Sequence, residues 1–467
     1  MRWTADGRRD PVADDLLDRL TTLAAETIFD DLPAEAVHAA QTFLLDSLAV
    51  GVAGRTGAWR DAAVRSALVW GSGAEARILG DGLTVPPATA AFVNAYQMHC
   101  LEFDCVHEAA VAHVMTAVAA AAMAESERSR VDGQRLLLAL VLGVEIAAVL
   151  GIAANAPLRF FRPATVGVFG AATAVATLRR FDREGIQRCL GHALGQVAGT
   201  MQPHEEGKPT LPVQLGNAAR AGLNAADLAQ SGMPSPVHAL EGRHGYFSLF
   251  ETAFDTASAG RRVGIVWRVT ELSHKPYPTG RATHGGIEAV LRLRARGVHP
   301  DNLLEMTLSA PPLIHELVVR PAREGMDASY ARLCFAYAGA VALACGRVGI
   351  EHFTHDELQR NAHLTLAGRF TATVNDEPDP ASFVPQVLSA HLKGGECMSE
   401  RIDALLGAPA NPLSMEDRET KVHCCVAAVY RDAGRSARLI DIVRELPHLP
   451  DAAVLLDPIT DAERVHL

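Results

Sequence analysis

Residues Leu136 to Ala154 form an almost wholly apolar run, long enough to cross a bilayer. Glu145 stands at its centre and Gly143 close by. The stretches on either side read as amphipathic helices of a soluble type. A helix that is apolar all round must therefore be wrapped on every side by other helices. The chain has 467 residues, enough for such a core and for two or three domains. Hydrophobic residues make up 49%, which argues against disorder. A carboxylate inside such a helix needs a partner, and a structural hydrogen bond accounts for Glu145 better than catalysis does.

The wrapping helices can be read in turn. Helical spacing of apolar residues runs from Pro11 to Thr27, and a second helix starts after Asp31, runs from Ala36 to Val52 and carries Asp46. Alanine-rich runs follow at Pro87–Leu101 and Thr116–Glu127, and the Leu136 helix comes after an Asp132-Gly133 break. Thr165–Arg180, Arg183–Gly199 and Asn217–Gly232 complete the set, with Asp182 as a cap for the second of these. Abundant alanine and glycine allow close approach, and without a fixed repeat the arrangement is a bundle.

Near residue 265 the composition changes. Gly264–Thr270 and Met306–Ser309 read as strands, with a helix over Gly285–Arg296 between them. Arg369–Val374 alternates, and Gln386–Lys393 and Cys397–Ile402 flank Gly394-Gly395-Glu396 as a hairpin. After Asn411-Pro412-Leu413-Ser414 the chain reads helical again, with Ser414 and Asp417 as an N-cap pair. The expected fold is mainly α with an α+β second domain. Residues 1–269 and 409–467 would build a large helical domain, and 270–408 a smaller α/β lid.

The net charge of −11 and a pI near 5.9 argue against a nucleic-acid or anionic-membrane surface, so an anionic substrate would need a local cationic pocket. Eight scattered cysteines without a C-x-x-C pair fit neither a disulfide scaffold nor a zinc site. Met1–Asp10 lacks an apolar signal region, which leads to a cytoplasmic expectation.

Three segments concentrate chemistry. Lys275-Pro276-Tyr277-Pro278-Thr279-Gly280-Arg281-Ala282-Thr283-His284 puts a lysine, an arginine and a histidine in a proline-stiffened loop, which suits a carboxylate ligand. The stretch from His99 to His113 is dense in titratable groups. His107 and His113 lie roughly 120° apart on a helix, which is no shared metal face. Acid–base work is the stronger reading, with His113 at a helix N-terminus whose dipole favours a neutral base. His204-Glu205-Glu206-Gly207-Lys208-Pro209 lies between two apolar helices, where a solvated loop and a cleft wall are both open readings. Arg162 precedes the Thr165 helix and would add to an anion-friendly corner, although a solvated arginine is the simpler account. No glycine-rich phosphate loop or nucleophile elbow is present in the sequence.

Taken together, these segments resemble the MmgE/PrpD family, whose activities include 2-methylcitrate dehydratase, cis-aconitate decarboxylase and iminodisuccinate epimerase. The resemblance spans nearly the whole length. It rests on Leu101-Glu102-Phe103-Asp104 with His113; Arg162-Pro163-Ala164-Thr165-Val166-Gly167-Val168-Phe169-Gly170; Leu215-Gly216-Asn217-Ala218-Ala219-Arg220; Lys275-Pro276-Tyr277-Pro278 with Arg281, Thr283 and His284; and Asn411-Pro412-Leu413-Ser414. It implies a homodimer, no metal, no organic cofactor and a polycarboxylate held between the domains. His113 matches the family's active-site histidine, Lys275 its lid-side lysine and Lys208 its other lysine, at a shifted spacing. The family pattern Asp-Phe-Asp-Asp-Thr becomes Glu102-Phe103-Asp104-Cys105-Val106, and a histidine that often precedes the helix-start proline falls on Phe161.

The expectation is a cofactor-independent lyase acting on a small di- or tricarboxylate. His113 would move the proton, Glu102 or Asp104 would orient it, and Lys275 would stabilise charge. His284 would assist a leaving hydroxyl. Arg281, Arg162, Lys208, His107 and Tyr277 would bind substrate. A dicarboxylate epimerase would use the same groups, and a catalytically silent carboxylate-binding protein is the reading of another class.

Overall fold

A computed structural model describes residues 16–460. At its centre is the helix Gly133–Ala153, buried along almost its whole length. Asp132, expected as a break, is its N-cap: the carboxylate accepts from Arg135 N at 2.7 Å. The neighbouring helix Arg162–Leu178 crosses it where two glycines meet. A Cβ on Gly143 would sit 2.8 Å from Gly170 O, and one on Gly170 would sit 2.7 Å from Gly143 O. Glycine at both positions is thus a condition of the crossing. Pro163 falls in the first turn of Arg162–Leu178, where a missing N–H costs nothing, so the helix starts earlier than Thr165.

Ala34–Ala53 and Val114–Ser129 also pack on the central helix, while Pro87–His99 packs on Val114–Ser129 and Thr210–Gln230 packs on Arg162–Leu178 and Pro87–His99. Of the expected Pro11–Thr27 helix, Leu16–Glu26 is seen and the start lies outside the described residues. Arg183–Leu194 is capped by Asp182, which accepts from Gly185 N at 2.8 Å. Met415–Ala427, capped by Ser414 accepting from Asp417 N at 3.0 Å, packs on Ala34–Ala53. One hydrophobic core draws on residues from Leu16 to Leu272, on Leu333, and again from Val422 to Ile459. A second draws on Ala282 to Ala408.

The second core is built on a four-stranded sheet. Leu303–Ala310 lies between Phe370–Val374, parallel to it, and Gln386–Leu392, antiparallel to it. Gln386–Leu392 pairs in turn with Cys397–Ile402 as the expected hairpin, with Ser389 opposite Ser399. Alternate residues of Gln386–Leu392 are buried, as a one-sided sheet requires. Helices His284–Ala295 and Phe335–Cys345 pack on this sheet and on each other.

One expected strand is absent. Gly264–Thr270 is a turn followed by a 3-10 helix, Arg268–Glu271. The backbone N–H of Arg268, which a strand would give to a neighbour, donates to Glu145 Oε2 at 2.8 Å. The central carboxylate is therefore a structural acceptor, and its Oε1 has no hydrogen-bond partner.

Burial pushes the Glu145 pKa up to about 7, against the smaller downward pull of the Arg268 N–H and charge. An acid whose pKa is raised on folding contributes stability below its unfolded value, and that contribution is lost as pH rises through the folded value. Between about pH 4.5 and 7 the protein should lose on the order of 3 kcal/mol relative to Glu145→Gln, which keeps the acceptor without the titration. Denaturant unfolding of both proteins at pH 5 and pH 8 checks this, and parallel pH dependences would contradict it.

Candidate functional site

The helix Pro87–His99 ends in a tight turn, where Glu102 N donates to His99 O at 2.8 Å. Glu102 takes a left-handed conformation, φ +50°, which is costly for a residue with a Cβ. Lys275 holds it there. Its fully buried ammonium donates to Glu102 O at 3.1 Å and to Glu102 Oε2 at 2.9 Å. One lysine from the loop after the first core thus fixes both the backbone and the side chain of the turn.

Asp104, also fully buried, gathers the histidines. Its carboxylate accepts from Thr116 Oγ1 at 2.5 Å and lies 3.0 Å from His99 Nδ1 and 3.3 Å from His113 Nδ1. His113 is the N-cap residue of Val114–Ser129, and its Nδ1 is also 3.1 Å from Cys105 O. A carbonyl only accepts, so the Nδ1 proton is placed there and Nε2 keeps its lone pair.

Burial works against charge on every member, and the neighbours decide the outcome. For Asp104 the two histidines outweigh burial and hold the carboxyl well below its usual range. For Glu102 the Lys275 ammonium and His99 do the same, bringing it to about 2. His99 is raised, because Asp104 and Glu102 outweigh its burial. His113 is lowered, because burial together with Lys275 outweighs Asp104. The directions favour an ionised Asp104 that shares a proton with its histidines, held more firmly by His99 than by His113.

The cleft beside this cluster lies between the two cores. Glu102 and His113 line it from the helical side with Arg162 and His204, and Arg281 and Thr283 from the other side. Arg162 donates to Ala156 O at 3.1 Å and pairs with Glu251 at 3.6 Å. Arg281 donates to Leu406 O at 2.8 Å and pairs with Glu108 at 2.8 Å. Residues from both expected domains therefore meet at one opening.

Four expected contributors lie elsewhere. His284 is fully buried behind Arg281: Nε2 lies 3.2 Å from Thr279 O and Nδ1 lies 3.3 Å from Arg281 Nη1. Burial and the neighbouring Arg281 and Lys275 push it well below the usual histidine range, so it is neutral and poorly suited to act as an acid. Tyr277 packs edge-on against His284 rather than lining the cleft. His107 is an anchor for Glu271 at 3.1 Å and accepts from Ala110 N at 3.2 Å. Lys208 is exposed and absent from the cleft wall, where His204 stands instead.

Other members were not singled out by the sequence. His99 lies in the dense segment, but only the fold shows that the helix end aims it at Asp104. Glu108 partners Arg281, and Arg320 donates to His204 O at 2.9 Å. Lys421 donates to Phe103 O at 2.9 Å and pairs with Asp46 at 2.7 Å, tying the C-terminal helix to the turn. These pairs join residues hundreds of positions apart and leave no local signal.

His99, Asp104 and His113 offer ligand-type atoms within 4.8 Å of one another. Their contacts have hydrogen-bond lengths, and Lys275 Nζ lies 3.9 Å from the same carboxylate. An ammonium there opposes a dication, so the set fits a proton relay better than a metal.

A histidine oriented by a buried carboxylate, with Arg162 on its own side of a cleft and Arg281 on the other, is the kind of arrangement that acid–base enzymes use. Sequence comparison gives it a family. The profile of the MmgE/PrpD N-terminal domain matches residues 18–259 and that of the C-terminal domain residues 277–446, and the chain belongs to the MmgE/PrpD family. The C-terminal match runs beyond the sheet into helices that pack in the first core. Similar proteins include cis-aconitate decarboxylase of Mus musculus, 27% identical over 447 residues, covering 90% of this chain and 88% of that protein. The Homo sapiens cis-aconitate decarboxylase is 26% identical over 439 residues, covering 90% and 89%. A cis-aconitate decarboxylase-like protein of Aspergillus oryzae is 26% identical over 455 residues, covering 91% and 93%.

The Lys275–Glu102 pair generates a prediction. Lys275→Met leaves Glu102 buried without its counter-charge and should destabilise the protein by roughly 3–5 kcal/mol. Adding Glu102→Gln removes the stranded charge, so the double variant should be more stable than the single one. A double-mutant cycle by urea unfolding checks this, and additive losses would contradict it.

Proposed function

We propose that the protein is a cofactor-independent lyase that abstracts a proton beside a carboxylate of a small di- or tricarboxylate. The observation that carries this reading is the placement of His113, whose Nδ1 is engaged by Cys105 O and Asp104 and whose ring lines the cleft, while burial and Lys275 lower its pKa. His113 Nε2 takes the proton, and Asp104 orients the ring and stabilises the imidazolium that forms. Arg162 and Arg281 are placed to bind a carboxylate and the charge that develops next to it. Lys275 acts through Glu102, holding the turn in shape. In a dehydration that carbanion-like charge expels a neighbouring hydroxyl, which leaves as water with the proton of the imidazolium; in a decarboxylation no proton is abstracted first, the C–CO2 bond breaks to leave the carbanion, and a protonated His113 supplies its proton. A neutral His113 favours the dehydration, and the similarity to cis-aconitate decarboxylases carries decarboxylation as the second reading. The family resemblance also supports the proposal of a homodimer.

Incubation with citrate, methylcitrate, cis-aconitate and iminodisuccinate in deuterated water, followed by NMR, tests the reaction class. A new alkene or released carbon dioxide from at least one of these compounds is the expected result. Deuterium incorporation without net conversion would indicate an epimerase. Silence across the panel, with ligand-induced thermal stabilisation, would indicate a binding protein.

His113→Gln should lower kcat by about 100-fold or more without loss of fold. In the wild type, kcat/KM should fall as pH drops through the His113 pKa, because the protonated ring cannot accept. That acid limb should lie below the ordinary histidine value of about 6.5. A limb above 7, or full activity in the variant, would contradict the assignment.

A further inference from the structure

The wall of the cleft is mostly apolar. Val106, Val111, Phe161, Leu211, Val318 and Phe383 line it. Val106 and Phe161 are also two of the positions at which the sequence departs from the polar residues of the family pattern. Both are buried, and Phe161 lies 5.9 Å from the His99 ring, so it closes the cleft directly beside the proton relay.

The charged groups of the cleft are already matched within the chain. Glu102 is paired with Lys275, Arg281 with Glu108 and Arg162 with Glu251. His204 is driven down to about 4 by burial and then by Arg320, and His113 is lowered as well, so neither brings positive charge near neutral pH. Arg162 Nε and Arg281 Nη2 are buried without a hydrogen-bond partner, leaving one donor on each arginine and so a place for two carboxylates. Each carboxylate that enters must give up its hydration, and a third one would do so against a wall with no unmatched cation to receive it.

We infer that the substrate carries no more than two carboxylates and bears an apolar substituent, which packs against the Val106–Phe161 side of the cleft, in place of a third. This narrows the substrate class of the proposed lyase and rests on that reading for the reaction, while the shape and charge argument concerns binding alone.

Calorimetric titration of the full-length protein with propane-1,2,3-tricarboxylate and with 2-methyl-, 2-butyl- and 2-hexylsuccinate tests it. Between methyl- and butylsuccinate, Kd should fall about fourfold per added methylene, the equivalent of about 0.8 kcal/mol each. The tricarboxylate should bind more weakly than butylsuccinate. Phe161→His should reverse that preference at least tenfold, and the wild-type series stands even if this variant folds poorly. A flat alkyl series with tighter binding of the tricarboxylate would overturn the inference. The alkyl trend without turnover of any carboxylate would uphold it and count against the lyase reading instead. Turnover of cis-aconitate with no alkyl trend would uphold the lyase and overturn the inference.

Discussion

The ion pair between Lys275 and Glu102 is the constraint on which the site depends. It joins the loop leading into the second core to a turn at the end of a helix of the first. It also compensates a residue held at positive φ. Without that ammonium, the left-handed turn would cost energy and the Glu102 carboxylate would be buried alone. With it, Asp104 two residues later points at His99 and His113, and the proton relay takes its shape. Lys421 supports the same turn from the C-terminal helix through Phe103 O. Residues from both ends of the chain and from its middle thus converge on a few backbone atoms.

The rigid body behind this turn comes from small residues. Gly143 and Gly170 let two central helices touch at backbone distance, and Gly216 lets Thr210–Gln230 approach Phe92 O, where a Cβ would come within 2.7 Å. Helices packed this closely resist the half-ångström shifts that would spoil a hydrogen-bonded triad. The cleft walls combine this body with the loop of Arg281 and Thr283 from the second core. Acid–base chemistry therefore sits on the stiff side, and part of the carboxylate recognition comes from the other.

Much of the fold was legible because it rests on local signals. The apolar run around Glu145, the caps at Asp132, Asp182 and Ser414, and the Gly394–Gly395 hairpin each declare themselves within a few residues. The false strand at Gly264–Thr270 shows where such signals end: its backbone donor is claimed by a carboxylate 123 positions away in sequence. The site was legible by composition more than by role. Glu102, Asp104, His113, Arg162, Lys275 and Arg281 do come together. His284 has the right type and neighbourhood, yet it is turned into the core to satisfy Thr279 and Arg281. Lys208 follows the left-handed Gly207 out into solvent, which no spacing rule encodes. His99 was visible but unassigned, because its partner is defined by a turn whose shape is set by a lysine 173 residues further on.

The central claim is that His113 rests as a neutral imidazole with its proton on Nδ1, leaving Nε2 to act. Nitrogen-15 NMR of histidine-labelled protein, with His113→Gln used to assign the signal, measures tautomer and titration together. The account predicts the Nδ1–H tautomer at pH 7 and protonation only below the ordinary histidine range. An Nε2–H tautomer, or a ring still charged at pH 7, would contradict it.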